Sequence, residues 1–175
     1  MLLTRALLLL TAGALSAQVA VPLAHYGGPR TNATLVETVL NTANVNVNQF
    51  GKVFTRTLDG YSYAHPLYVP NVSIPGHGRR NIIYAATLHN TVFAFDADDP
   101  AESSPYWSIN LGPSIPFPPN VDGGYVQPEM GIMSTPAIDL ETATLYVVAT
   151  TQQGSNAAMY LNALDLSTGA RKFGS

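Results

Sequence analysis

The chain contains no cysteine, which removes disulfide scaffolds, cysteine-based zinc sites, iron–sulfur clusters and thiol nucleophiles together. Charge is scarce as well: 11% of the 175 residues are charged, with 8 Lys+Arg against 11 Asp+Glu and a formal net charge of -3. Beyond Arg79-Arg80 the basic residues do not cluster, so the footprint that a phosphate backbone requires is missing and no nucleic-acid partner is expected. No apolar run reaches the roughly 20 residues that span a bilayer as a helix, so no transmembrane segment is expected. Neither a G-x-S-x-G elbow, a phosphate loop nor a zinc-protease helix motif occurs.

What is abundant is punctuation. Fourteen Gly and 13 Pro, with Val, Ile, Thr and Tyr between them, favour many short strands joined by tight turns, and the expected fold class is all-β. With 46% hydrophobic residues the chain is too apolar for a disordered tail.

Residues 1–17 read as a secretory signal peptide. Arg5 charges a short leading region, Ala6 to Leu15 is apolar, and small residues follow, with cleavage expected near Ala17 or Gln18. The expected localisation is secreted, either periplasmic or extracellular. Asn32-Ala33-Thr34 and Asn71-Val72-Ser73 fit the acceptor pattern for eukaryotic glycosylation. Residues 18–50 form a lead-in with room for a short strand, and residues 51–175 carry the regular texture.

In that region strands are predicted near Lys52–Leu58, Tyr61–Val69, Ile82–Thr87, Val92–Phe95, Ser108–Leu111, Pro136–Leu140, Leu145–Thr150 and Tyr160–Leu166. His89-Asn90 marks a tight hairpin, since Asn tolerates the left-handed conformation. Gln152–Ala157 is predicted to be a polar turn. Pro113, Pro116, Pro118, Pro119 and Pro128 make Gly112–Pro128 a long loop, where binding specificity is expected.

Two stretches overlay on one another. Pro66 matches Pro136 at an offset of 70 residues, Asp96 matches Asp165 at 69, Trp107 matches Phe173 at 66, and Tyr84 matches Tyr146 at 62. Each unit reads as a proline-marked strand, a Tyr-bearing strand, an Ala-x-Asp strand and a last strand with an aromatic residue. Four short antiparallel strands per unit describe the blade of a β-propeller, with about two blades here. The repeated positions of Asp96 and Asp165 mark them as turn-formers, and Trp107 and Phe173 read as packing aromatics. Gly169 suits a positive φ.

The second unit, Ala163-Leu164-Asp165-Leu166-Ser167-Thr168-Gly169-Ala170-Arg171-Lys172-Phe173, resembles the repeat of the pyrroloquinoline-quinone-repeat (quinoprotein-like) β-propellers, Ala-x-Asp-x-x-Thr-Gly-x-x-x-Trp, with Phe in place of Trp. The first unit keeps Ala94, Asp96 and Trp107 and replaces Thr-Gly by an insertion. Asp59-Gly60 with Tyr63-Ala64-x-Pro66-Leu67-Tyr68-Val69, and Glu129-x-Gly131-Ile132-x-Ser134-Thr135-Pro136, resemble a secreted subgroup of the family. The resemblance covers about Phe50 to Ser175. It implies seven or eight blades, so these residues are expected to be the N-terminal portion of a longer protein.

The resemblance also implies a candidate cofactor, pyrroloquinoline quinone with calcium, held in a central funnel by oxygen ligands. Glu129, at the end of the proline-rich loop beside Gly131, is the candidate contact; the alternative is that it caps a turn or sits on a solvated rim. No metal site is expected, because His65, His77 and His89 recur about every twelve residues in unlike contexts. Two functions follow: a binding or scaffold propeller for a protein, glycan or small molecule, or an oxidoreductase of alcohols or sugars. Many quinoprotein alcohol dehydrogenases have an adjacent Cys pair and Trp-rich blades, whereas this chain has no Cys and one Trp.

Overall fold

The computed structural model describes residues 19–26, 31–34, 37, 39–117 and 128–173. The leader, its cleavage position, and Pro118 and Pro119 of the long loop lie outside the described residues. Within them the protein is all-β apart from one three-residue 3-10 turn, Ala24–Tyr26. No helix among them is long and apolar enough to cross a membrane.

Strands β1 (Leu67–Ile74), β2 (Gly78–Ala86), β3 (Thr91–Asp96) and β4 (Trp107–Asn110) form one antiparallel sheet in chain order. Two-residue strands β5 (Ile115–Pro116) and β6 (Glu129–Met130) pair where the proline-rich loop leaves and returns. A second sheet contains β7 (Ala137–Asp139), β8 (Thr144–Gln153) and β9 (Asn156–Asp165), again antiparallel and in chain order. Beyond β9 a single bridge, Leu164 with Arg171, occupies the position that β4 holds in the first sheet.

Several boundaries differ from the sequence expectation for physical reasons. Lys52–Leu58 forms no strand; Arg56 instead donates to the Asp96 and Asp99 carbonyl oxygens at 3.4 and 2.6 Å, laying the segment along the first sheet. The polar turn predicted at Gln152–Ala157 shrinks to Gly154-Ser155. Gln152, Gln153 and Asn156 remain in register because a ladder uses backbone groups, and Gly154 supplies the turn at φ 60°. The described part of the lead-in contributes only an isolated bridge from Val21 to Tyr68, while residues 41–50 wind through turns held by the Asn41, Asn44 and Asn46 side chains. Asn32 and Asn71 are both exposed, the latter within an irregularity of β1 between Val69 and Val72.

One apolar core spans both sheets. The register places Tyr84 opposite Ala94 and Ala94 opposite Trp107, so these three share a face with Ile82 and Val92. In the second sheet Leu145 lies opposite Leu164, and with Val147, Ala149 and Leu166 it joins the same core. Two side chains fasten the sheets by hydrogen bonds: Tyr84 Oη and Trp107 Nε1 both donate to the Leu166 carbonyl oxygen, at 2.9 and 3.0 Å. One carbonyl has two lone pairs and serves both. The indole then lies against Gly169 at φ 71°, where a Cβ would sit 2.5 Å from Trp107 Cε3.

The other aromatic of the repeat behaves differently. Phe173 is 65% exposed, and Leu161, opposite Val148 on the face of the second sheet turned away from the core, is 70% exposed. Trp107 is buried because the second sheet covers its face; no described element covers the matching face that carries Phe173.

The aspartate turns are repeated as expected. Asp96 Oδ1 accepts from the Asp98 and Asp99 amides at 2.8 Å each, and Asp165 Oδ1 accepts from Ser167 and Thr168 at 3.0 and 3.2 Å. Asp139 makes a third such turn with Glu141 and Thr142. Burial alone would push the Asp96 and Asp165 carboxyls up. Hydrogen bonds outweigh it, from Tyr106 and the Asp99 and Asp98 amides to the first and from Ser167 and Thr168 to the second, so both lie below the ordinary carboxylate value. The Thr142 hydroxyl is the main cause of the same shift at Asp139.

A depressed folded-state pKa means stability that is present above the unfolded value of about 3.9 and lost as pH falls through the folded values. Melting temperature is therefore expected to hold from pH 7 to about 4 and then fall, with a shallower fall in Asp96→Asn and Asp165→Asn than in the native chain. At the alkaline end, burial and the hydrogen bond to Asp96 push the Tyr106 phenol up to about 12. That stability is lost as pH rises from about 10 towards the folded value. Spectrophotometric titration at the tyrosinate band, run beside the melts, checks it.

Candidate functional site

In an antiparallel meander the start of β1, the β2–β3 turn and the exit of β4 share one end of the sheet. Three loops meet there: the Asp59-Gly60 approach to β1, the Thr87–Asn90 turn, and the connection from Leu111 onward to β7. Asp59 ties the first two together, since Thr87 Oγ1 donates to its Oδ1 at 2.8 Å and Thr91 Oγ1 to its Oδ2 at 2.5 Å. Asn110 Nδ2 donates to the His89 carbonyl oxygen at 2.7 Å, adding the β4 exit.

Glu129 stands where the connection returns, on β6. Its Oε1 and Oε2 lie 3.1 and 3.0 Å from His89 Nδ1, and the Ser114 hydroxyl donates to Oε2. The Glu129 side chain is 16% exposed and that of His89 52%. The carboxylate thus occupies the middle of a Ser–Glu–His row. A hydrolytic triad needs imidazole in the middle to take the hydroxyl proton, so this row does not activate Ser114 as a nucleophile. What the arrangement does is clamp the two ends of the connection to the β2–β3 turn. Glu129→Ala is expected to lower stability by about 1–2 kcal/mol, with Glu129→Gln intermediate, in urea unfolding.

Asn90 supports the same end. At φ 61° its Nδ2 donates to Gly112 O at 3.2 Å and Thr150 O at 2.8 Å, which fixes the first sheet to the second. Gly131 passes so close that a Cβ there would lie 2.6 Å from Asn90 Oδ1 and closer still to the Leu88 carbonyl oxygen.

Beside this clamp is a cavity of about 550 Å³, lined on one side by Leu111, Gly112 and Pro113 and on the other by Thr151, Gln152, Gln153, Tyr160, Leu161, Asn162 and Arg171. The register puts Thr151, Gln153, Tyr160 and Asn162 on the same face of the β8–β9 hairpin as the core residues Leu145 and Val147. Towards its tip that face changes from apolar to amide and hydroxyl groups, and Arg171, beyond β9, adds a guanidinium to the cavity lining. The Gln152 backbone N–H donates to Pro113 O at 2.9 Å, so the near wall is the beginning of the loop singled out by its prolines.

The structure brings Glu129 and His89 together, while His77 packs at a tilt against Tyr106 at the opposite end, ring centres 4.7 Å apart, and His65 contacts His25 at 5.5 Å. Sequence reading singled out Glu129, as a cofactor contact, and the loop as the seat of specificity, and missed Ser114, His89 as the partner of Glu129, and every residue of the β8–β9 wall. A polar stretch after the apolar Leu145–Ala149 was the available signal for the last of these. No family model, curated protein or solved structure matches the chain.

Proposed function

We propose that the chain supplies two consecutive repeats of a secreted, quinoprotein-like β-propeller whose role is to bind a polar ligand, a glycan or peptide strand, at the end where the proline-rich loop leaves the first sheet. The propeller part rests on the matching order of the two sheets, the repeated Asp96 and Asp165 turns, and the Trp107 joint to Gly169. The observation that carries the binding part is the 550 Å³ cavity, within the size range of ligand pockets and walled by three amide side chains, a phenol and a guanidinium.

An oxidoreductase of this class would need a hard-cation donor set around Glu129. A hard cation needs six or more oxygen ligands. Glu129 instead has Oε1 and Oε2 both within hydrogen-bond distance of His89 Nδ1, with Ser114 donating to Oε2, and among the described residues no three His, Asp or Glu side chains form a group that could hold a metal ion. The residues described here do not fit a calcium–quinone centre, and no step is derived through one.

Glycan arrays and a displayed-peptide library, probed with the full chain, test the binding role. Arg171→Ala and Gln152→Ala are expected to weaken the best hit at least tenfold while leaving the melt unchanged. Retention of full affinity in both variants would place binding elsewhere, and the absence of any hit would remove the proposal.

A further inference from the structure

A second cavity, of about 300 Å³, lies at the free edge of β1, where the lead-in crosses it. Val21 pairs there with Tyr68, and the Pro22 carbonyl oxygen accepts from the Ile138 amide at 2.8 Å, so the segment is tied to both sheets. The chain then turns back and sets His25 against His65, with ring centres 5.5 Å apart and planes tilted by 54°. That separation suits ordinary ring packing. It also suits two imidazoles on one ion, since Zn–N bonds of about 2.0–2.1 Å place the ring centres of two tetrahedral ligands roughly 5 Å apart.

Two observations go beyond packing. His25 Nδ1 is hydrogen-bonded to the side-chain oxygen of Asn32, a contact that suits the tautomer with the proton on Nδ1 and leaves Nε2 as the ligating nitrogen. A metal-binding imidazole is held in this way by its neighbour. The backbone is also held against its preference, because His25, Tyr26 and Asn32 have φ of 63°, 68° and 52° and all three line the cavity. Left-handed non-glycine residues gathered at one place store strain that ligand sites use. His25 sits in the middle of the 3-10 turn with a non-helical φ.

We propose that His25 and His65 form a two-imidazole site for a borderline divalent ion of the zinc or copper(II) class, with Asn32 as a positioning residue for His25. Imidazole nitrogen is the donor these ions favour. Among the described residues no third His, Asp or Glu joins the group. The site lies apart from the Glu129 clamp and is independent of the ligand-binding reading above.

The test uses tag-free full chain with copper(II) or zinc alone. Copper(II) is expected to bind one per chain with two imidazole nitrogens in its electron paramagnetic resonance spectrum. His25→Gln and His65→Gln should each weaken binding at least tenfold and leave one nitrogen, Asn32→Ala should weaken it about tenfold, and His77→Gln and His89→Gln should change nothing. In the unaltered protein, zinc should shift the Nε2 resonance of His25 and a ring nitrogen of His65, leaving His77 and His89 in place, a readout that depends on no variant folding. Equal affinity and an unchanged two-nitrogen signature in His25→Gln and His65→Gln would overturn the proposal. So would zinc shifts confined to His77 or His89, or no shifts at all.

Discussion

Replacing Trp107 by alanine is expected to lower stability by about 3–5 kcal/mol, the range for deleting a large buried aromatic side chain. The reason for placing it there is that one side chain performs three tasks. Its ring fills the core between the sheets, its Nε1 donates to the Leu166 carbonyl 59 residues away, and its face closes over Gly169. Tyr84 donates to the same oxygen, so the carbonyl keeps a partner after the substitution and the loss comes mainly from the emptied volume. Trp107→Phe, which refills much of that volume, should recover more than half of the loss. The joint can be attacked from the other side too. Gly169→Ala adds a methyl group 2.5 Å from the indole at a φ of 71°, and crowding plus backbone strain should amount to about 2–4 kcal/mol. Equilibrium denaturation in guanidinium measures all three.

Gly131→Ala should be more damaging than any other glycine substitution in the described chain. Its Cβ would meet two groups that have nowhere to go. The Leu88 carbonyl belongs to the backbone of the β2–β3 turn, and Asn90 is fully buried with its amide nitrogen committed to Gly112 and Thr150. A methyl group here pushes the connection away from the turn and opens the seam between the sheets. We expect a loss above about 4 kcal/mol, seen as poor soluble yield and an early melt. Gly76→Ala is the fitting control. Gly76 also has a positive φ, 77°, but nothing lies within 4 Å of a Cβ there, so only the backbone term of about 1 kcal/mol applies. Similar losses in the two variants would mean that the close approach of Gly131 to Leu88 is wrong.

The contrast between these glycines shows what could be read from residues in order and what could not. Local conformational demands were legible. Asn90 was expected to take a left-handed turn and does so at φ 61°; Gly169 was expected at positive φ; Asp96 and Asp165 were expected to be turn-formers, and each accepts the amides two and three residues on. Each is decided by a few neighbouring residues. The all-β class and the antiparallel order followed from the same short-range signals.

Contacts between distant segments were not legible in this way. His89 meets Glu129 across 40 residues, Tyr84 reaches Leu166 across 82, and His65 meets a histidine of the lead-in; no local pattern encodes those partners. The even spacing of His65, His77 and His89 carried no meaning, because one precedes β1, one lies in the β1–β2 turn against Tyr106 and one in the β2–β3 turn. Phe173 was read as a packing aromatic like Trp107, but the two differ in what covers them. Side-chain chemistry is similar at both positions, and burial is a property of the neighbouring sheet. Glu129 was found for its place after a proline-rich loop, while its engagement by Ser114 depends on β5 and β6 pairing across that loop.

The central claim is that the two sheets are consecutive repeats locked by the Trp107 indole on Gly169. Proton magnetic resonance of the native protein tests it without any substitution. The Gly169 α-protons are expected to be shifted strongly upfield by the indole ring, with a nuclear Overhauser contact to the proton on Trp107 Cε3 and slow exchange of the Trp107 Nε1 proton. Gly169 α-protons at ordinary values, without that contact and beside a rapidly exchanging indole proton, would contradict it.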